Sequence, residues 1–127
     1  MSNLAAPHAA YRRGEVLAAT PAQLVVLLYD GARRFLRQGA SAMRDGEVER
    51  AHRALRRAER IVAHLDGTLD FEQGEVAQRL HVLYGFCLRH LNDARMSLDA
   101  GKVEEVGELL GELRDAFNQA AAEVQAG

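Results

Sequence analysis

Residues 20–36 read T-P-A-Q-L-V-V-L-L-Y-D-G-A-R-R-F-L, and this stretch decides the fold class. It opens with a helix start. Thr20 is a capping residue, Pro21 suits the first helical position, and Gln23, three residues after the cap, completes a capping box. Apolar positions then recur at helical spacing. Leu24, Leu28, Gly31 and Phe35 form one line, and Val25, Tyr29, Ala32 and Leu36 form the next. Two adjacent lines make a stripe wider than a surface helix needs. The stretch therefore predicts a helix at the centre of a bundle, touching two or three neighbours. Gly31 costs roughly 1 kcal/mol against Ala in a helix interior, and that cost predicts a close approach to the backbone there.

The first helix extends to about Arg44, where Asp45-Gly46 signals a turn. A second helix is predicted over 47–66. Its seam is Val48, Ala51, Leu55, Ala58, Val62, Leu65 and Leu69, with alternating spacings of three and four. The opposite side carries Arg50, Arg53, Arg57, Arg60 and His64. Such a strip suits a phosphate backbone or an acidic partner, but Glu47, Glu49, Glu59 and Asp66 interrupt it and no aromatic residues interleave for base stacking, which favours a solvated face.

After turn signals at Asp66-Gly67 and between Asp70 and Gly74, a third helix is predicted over 75–100. Its core line is Val76, Leu80, Leu83, Cys87, Leu91, Ala94 and Leu98, widened by Ala77, Tyr84 and Leu88. Val82 and Phe86 lie off that line, on one face with each other, and are candidates for a partner surface. Asp99-Ala100-Gly101 reads as the third turn. The last helix, over 102–124, has the seam Val103, Val106, Leu110, Leu113, Phe117, Ala120 and Val124. Gly107 and Gly111 sit beside it one turn apart, a spacing that fits either a shallow groove for a client or loose packing with no ligand.

Four amphipathic helices joined by short turns predict an all-α fold, an antiparallel up-down-up-down four-helix bundle in one domain. Residues 1–19 are small, polar and weakly patterned, so they read as a loosely held N-terminal segment. Tyr11, Val16 and Leu17 are its apolar exceptions and are expected to dock on the body, either as a displaceable cover or as permanent core.

Composition narrows the function. Charged residues make up 27 % of the 127 residues and the net charge is −2, so there is no global pull toward nucleic acid or membrane. One cysteine, no basic-then-apolar leader and no apolar run of the roughly 20 residues a membrane span needs point to a cytoplasmic protein. The chemistry-bearing pairs are sparse. A di-iron bundle needs two Glu-x-x-His pairs, and Glu49 with His52 supplies one. Cys87 and His90 are a turn apart but lack two further ligands. No glycine-rich phosphate loop and no signature of an activated nucleophile occurs. The residues predict a helical binding module with no enzyme activity, no metal and no cofactor.

The run from Tyr11 through Val16 to Thr20-Pro21, then Leu24, then L-L-Y-D-G-A-x-R-F-L over 27–36, resembles the flagellar secretion chaperone FliS family. Ile61-Val62, Leu65, Leu69-Asp70, Gly74-Glu75-Val76-Ala77, Leu80 and Leu83-Tyr84 continue the resemblance, and L-L-x-x-L-R-x-A-F over 109–117 ends it. Leu28, Tyr29, Asp30 and Gly31 are its most specific motif. The chain departs where the family often has Asn and Trp, at Arg95 and Phe117. The resemblance implies an export chaperone that binds flagellin's C-terminal segment, prevents premature polymerisation and delivers the subunit to the flagellar export gate. It also implies that the N-terminal segment covers the client surface. The alternative is a self-associating structural bundle whose extra apolar surface closes a weak homodimer.

Overall fold

The structure is a computed structural model that describes residues 20–126, with side chains to residue 123. Its helices are α1 Pro21–Arg44, α2 Val48–Gly67, α3 Glu75–Ser97 and α4 Ala100–Ala126, with a short 3₁₀ turn at Phe71–Gln73 before α3. α1 packs most extensively, against α2 and α4, and α3 closes the square against the same two helices. Consecutive helices are neighbours, as short connections demand. Among the described residues no helix is long and apolar enough to cross a membrane.

The start of α1 follows its sequence signal. Thr20 Oγ1 accepts from the Gln23 amide at 3.2 Å, and the Gln23 side chain accepts from the Thr20 amide at 2.9 Å. The first turn then leaves Gly46 at φ 75°, a left-handed position that suits a residue without Cβ. Beyond the second, Gly74 at φ 99° and ψ −153° occupies a region essentially reserved for glycine. The third differs from expectation. Asp99 Oδ1 accepts from the Lys102 amide at 3.2 Å and caps α4, so Ala100 and Gly101 are helical. α3 stops at Ser97, and Leu98 turns left-handed at φ 53° to end it.

The core is built from Tyr29, Ala32 and Leu36 of α1, Leu55, Ala58 and Val62 of α2, Tyr84, Cys87 and Leu91 of α3, and Val103, Val106 and Leu110 of α4. The second α1 line is thus the central one, while Leu24 of the first line is exposed. The α3 stripe also sits differently from the sequence reading. It runs through Ala77, Leu80, Tyr84, Cys87, Leu91 and Ala94. Val76 and Leu98, expected in the core, are 66 % and 46 % exposed, because the first lies in the opening turn and the second in the cap. Val48, in the first turn of α2, is exposed for the same end effect.

Gly31 is not where helices approach most closely. A Cβ there would meet Ile61 Cδ1 at 3.5 Å, an ordinary contact. The tight point lies two turns later at Gly39, where a Cβ would come within 2.9 Å of Leu55 Cδ2. The Leu55 side chain of α2 fills the space over Gly39, so the small residue is needed there and not at Gly31.

Candidate functional site

The Leu28-Tyr29-Asp30-Gly31 motif locks α1 to all three neighbours. Tyr29 and Tyr84 are both fully buried, and their hydroxyls hydrogen-bond to each other across the bundle diagonal, from α1 to α3. The Phe117 ring of α4 lies 5.6 Å from the Tyr29 ring. Burial raises the acid pKa of both phenols, because a phenolate there would lose its hydration, so both stay neutral. Asp30 Oδ1 accepts from Arg114 Nε at 3.0 Å, tying α1 to α4, and Gly31 rests against Ile61 of α2. Leu28 is half-buried beside this cluster. The Arg114 partner belongs to the L-R-x-A-F run, so two separate motifs of the sequence meet in one contact. Nothing in their local spacing announces that meeting across 84 positions.

The expected client residues occupy two places. Val82 and Phe86 lie on the side of α3 turned away from Tyr84 and Cys87, 65 % and 43 % exposed. The Phe86 ring stacks on His90 with centroids 4.9 Å apart, and His90 Nε2 lies 2.6 Å from Glu105 Oε2 of α4. One face of Phe86 is therefore held and the other faces solvent. Gly107 and Gly111 look the other way, toward α1. Gly107 joins Arg33, Leu36, Arg37, Ala40, Val103 and Glu104 around a cleft of about 640 Å³ between α1 and α4. Gly111 is roofed by Arg33, whose guanidinium carbon would lie 3.0 Å from a Cβ placed there. The structure thus separates Val82 and Phe86 from the glycine groove by the width of α4. Tyr11, Val16 and Leu17 lie outside the described residues.

Ion pairs cross between helices around these surfaces. Arg44 makes two bonds to Glu104, at 2.6 and 2.7 Å, closing one end of the α1–α4 cleft. Arg95 reaches both oxygens of Glu59 at 2.7 and 2.8 Å and Asn92 at 2.7 Å. It joins α3 to α2 in a half-buried position. Among the described residues no group of three or more His, Cys, Asp or Glu side chains is placed to hold a metal ion. Cys87 is wholly buried, and burial pushes its thiol up to about 11, leaving it protonated and unreactive.

The chain matches the model of the family described as "Flagellar protein FliS" over residues 3–124. It is 32 % identical over 114 residues to the flagellar secretion chaperone FliS of Bacillus subtilis, covering 90 % of this chain and 85 % of that one. With the flagellar secretion chaperone FliS of Salmonella typhimurium it shares 36 % identity over 106 residues, 82 % of this chain and 78 % of the relative. With the flagellar secretion chaperone FliSB of Pseudomonas aeruginosa it shares 30 % over 105 residues, 82 % and 83 % of the two chains. A four-helix bundle carrying the L-Y-D-G-A motif at its centre, and matching these proteins over nearly its whole length, belongs to the FliS family of flagellar secretion chaperones.

Proposed function

We propose that this chain is a non-enzymatic cytoplasmic chaperone that binds the C-terminal segment of flagellin, keeps it from polymerising and delivers it to the flagellar export gate. The carrying observation is the exposed apolar pair Val82 and Phe86 on the outer side of α3, away from the core. An amphipathic client helix buries such anchors at helical spacing. The client loses ordering entropy on binding, so a second contact is needed to offset it. The cleft at Gly107 supplies one, with Gly111 beneath the Arg33 side chain that lines it, and a client using both places passes around α4. Residues 1–19, through Tyr11, Val16 and Leu17, act as the cover that the client displaces.

The test is co-purification with flagellin, full length and lacking its C-terminal segment, with complex size measured in solution. A soluble one-to-one complex with the full-length protein and none with the truncated one is expected. Full affinity for the truncated flagellin would overturn the proposal. A stable dimer of this chain that persists in the presence of flagellin would favour the self-associating bundle instead.

A further inference from the structure

The basic strip of α2 does not stand alone. Its Arg50, Arg53 and Arg57 face α1 across a groove between α1 and α2, whereas Arg60 lines the α2–α3 side with Leu88 and Asn92. Arg34 of α1 and Arg57 of α2 both approach the half-buried Phe35 ring, each guanidinium carbon 5.7 Å from its centroid. Arg50 and Arg53 continue the line along α2, and with Gln38, Ala54 and Arg57 they enclose a cleft of about 240 Å³. Among the described residues Arg34, Arg53 and Arg57 are not within ion-pair distance of any carboxylate, and Arg50 has only its neighbour Glu47 at 3.0 Å. These side chains carry like charge, and among the described residues only Glu47, at the Arg50 end, offsets it through an ion pair. The shared ring orients two of the guanidinium forks before any partner arrives, which lowers the ordering cost of binding an anion.

We infer that the α1–α2 groove is a docking site for an acidic polypeptide segment. The forks suit carboxylates, which they bind through paired, charge-assisted hydrogen bonds. Arg50, Arg53 and Arg57 are spaced three and four residues apart, so the row spans about 10 Å. Acidic side chains one and two turns apart on a helix match that span. A polynucleotide fits less well. Glu47 and Glu49 interrupt the positive field at one end of α2, and both approaches of cations to Phe35 compete with base stacking on that ring. A lipid surface fits less well again, since no exposed large apolar side chain lines the cleft. The groove lies across the bundle from Phe86 and His90, so an acidic partner and a client on α3 do not compete for space.

The experiment is fluorescence anisotropy of a labelled oligo-glutamate peptide with the full chain, at low and at physiological salt. Wild type is expected to bind at low salt and weaken as salt rises. Replacing both Arg53 and Arg57 by Glu should lower affinity about tenfold or more. The same charge change at Arg79 and Arg89 of α3 should leave it near wild type. Phe35→Leu keeps every charge and should lower affinity by about threefold, through loss of the clamp. Circular dichroism verifies folding. Should the double variant lose helicity, Arg53→Gln carries the comparison, because Arg53 makes no hydrogen bond or ion pair among the described residues. Absence of binding at low salt, or an equal loss from the α3 control, overturns the inference. Tighter binding of a single-stranded oligonucleotide or of anionic vesicles to wild type, abolished by the Arg53 and Arg57 changes, overturns it in favour of those partners.

Discussion

Changing Tyr29 and Tyr84 to Phe, singly and together, tests how the motif holds the bundle. The two hydroxyls are buried and find each other as hydrogen-bond partners. Tyr29→Phe removes one oxygen and leaves the Tyr84 hydroxyl buried without a partner. An unpaired buried polar group costs about 1–3 kcal/mol. Tyr84→Phe leaves the Tyr29 hydroxyl in the same position and should cost a similar amount. The double variant loses both polar atoms and keeps both rings, so the packing on Phe117 survives and no orphaned group remains. Its stability should therefore lie well above the sum of the single losses, near wild type. The assay is urea denaturation of the four proteins followed by circular dichroism, analysed as a double-mutant cycle. A coupling of about 1 kcal/mol or more between the sites is expected. Additive losses would refute the reasoning, because they would mean that the hydroxyls are satisfied independently of each other.

Two glycines of α1 should respond in opposite senses. Gly31→Ala should stabilise by up to about 1 kcal/mol through helix propensity, whereas Gly39→Ala should destabilise because the added carbon meets Leu55 at 2.9 Å; thermal melts decide both. Phe86→Ala should weaken flagellin binding while costing far less than the roughly 3–5 kcal/mol of a core Phe, and a large fall in denaturation midpoint would remove Phe86 from the client surface. Deleting residues 1–17 should leave the bundle folded and tighten binding of the flagellin C-terminal segment in calorimetry, and an unchanged or weakened affinity would dispose of the covering role. Alkaline pH should weaken the fold through Cys87. Its thiol titrates near 9.0 when unfolded and at about 11 when folded, so its contribution is full below pH 9, falls as pH rises, and is gone by about pH 11. Cys87→Ala should lose part of that alkaline dependence in denaturation midpoints.

The sequence by itself determined the local structure and the family. The Thr20 capping box, the wide stripe of α1 and the alternating spacings of α2 are satisfied within a turn or two of chain, so their reading needs no partner. The match is poorer where apolar residues lie on several sides of a helix. α3 and α4 are less sharply amphipathic than α1 and α2, and the α3 stripe consequently settles on Ala77 and Tyr84 while Val76 is left outside. Periodicity tells which residues share a face. It does not tell where a helix end runs past its neighbours, and that is what exposes Val48, Val76 and Leu98. Tertiary structure alone decided the contacts between distant positions: Tyr29 with Tyr84, Asp30 with Arg114, Arg95 with Glu59, and the paired arginines over Phe35. It also placed the close approach at Gly39, because interhelical distance depends on the crossing of two helices and not on either one. For the same reason Val82 and Phe86 came out on the opposite flank of α4 from Gly107 and Gly111. Each pair was legible as small or apolar residues one turn apart. The direction each faces was set by the packing of α4 between α1 and α3.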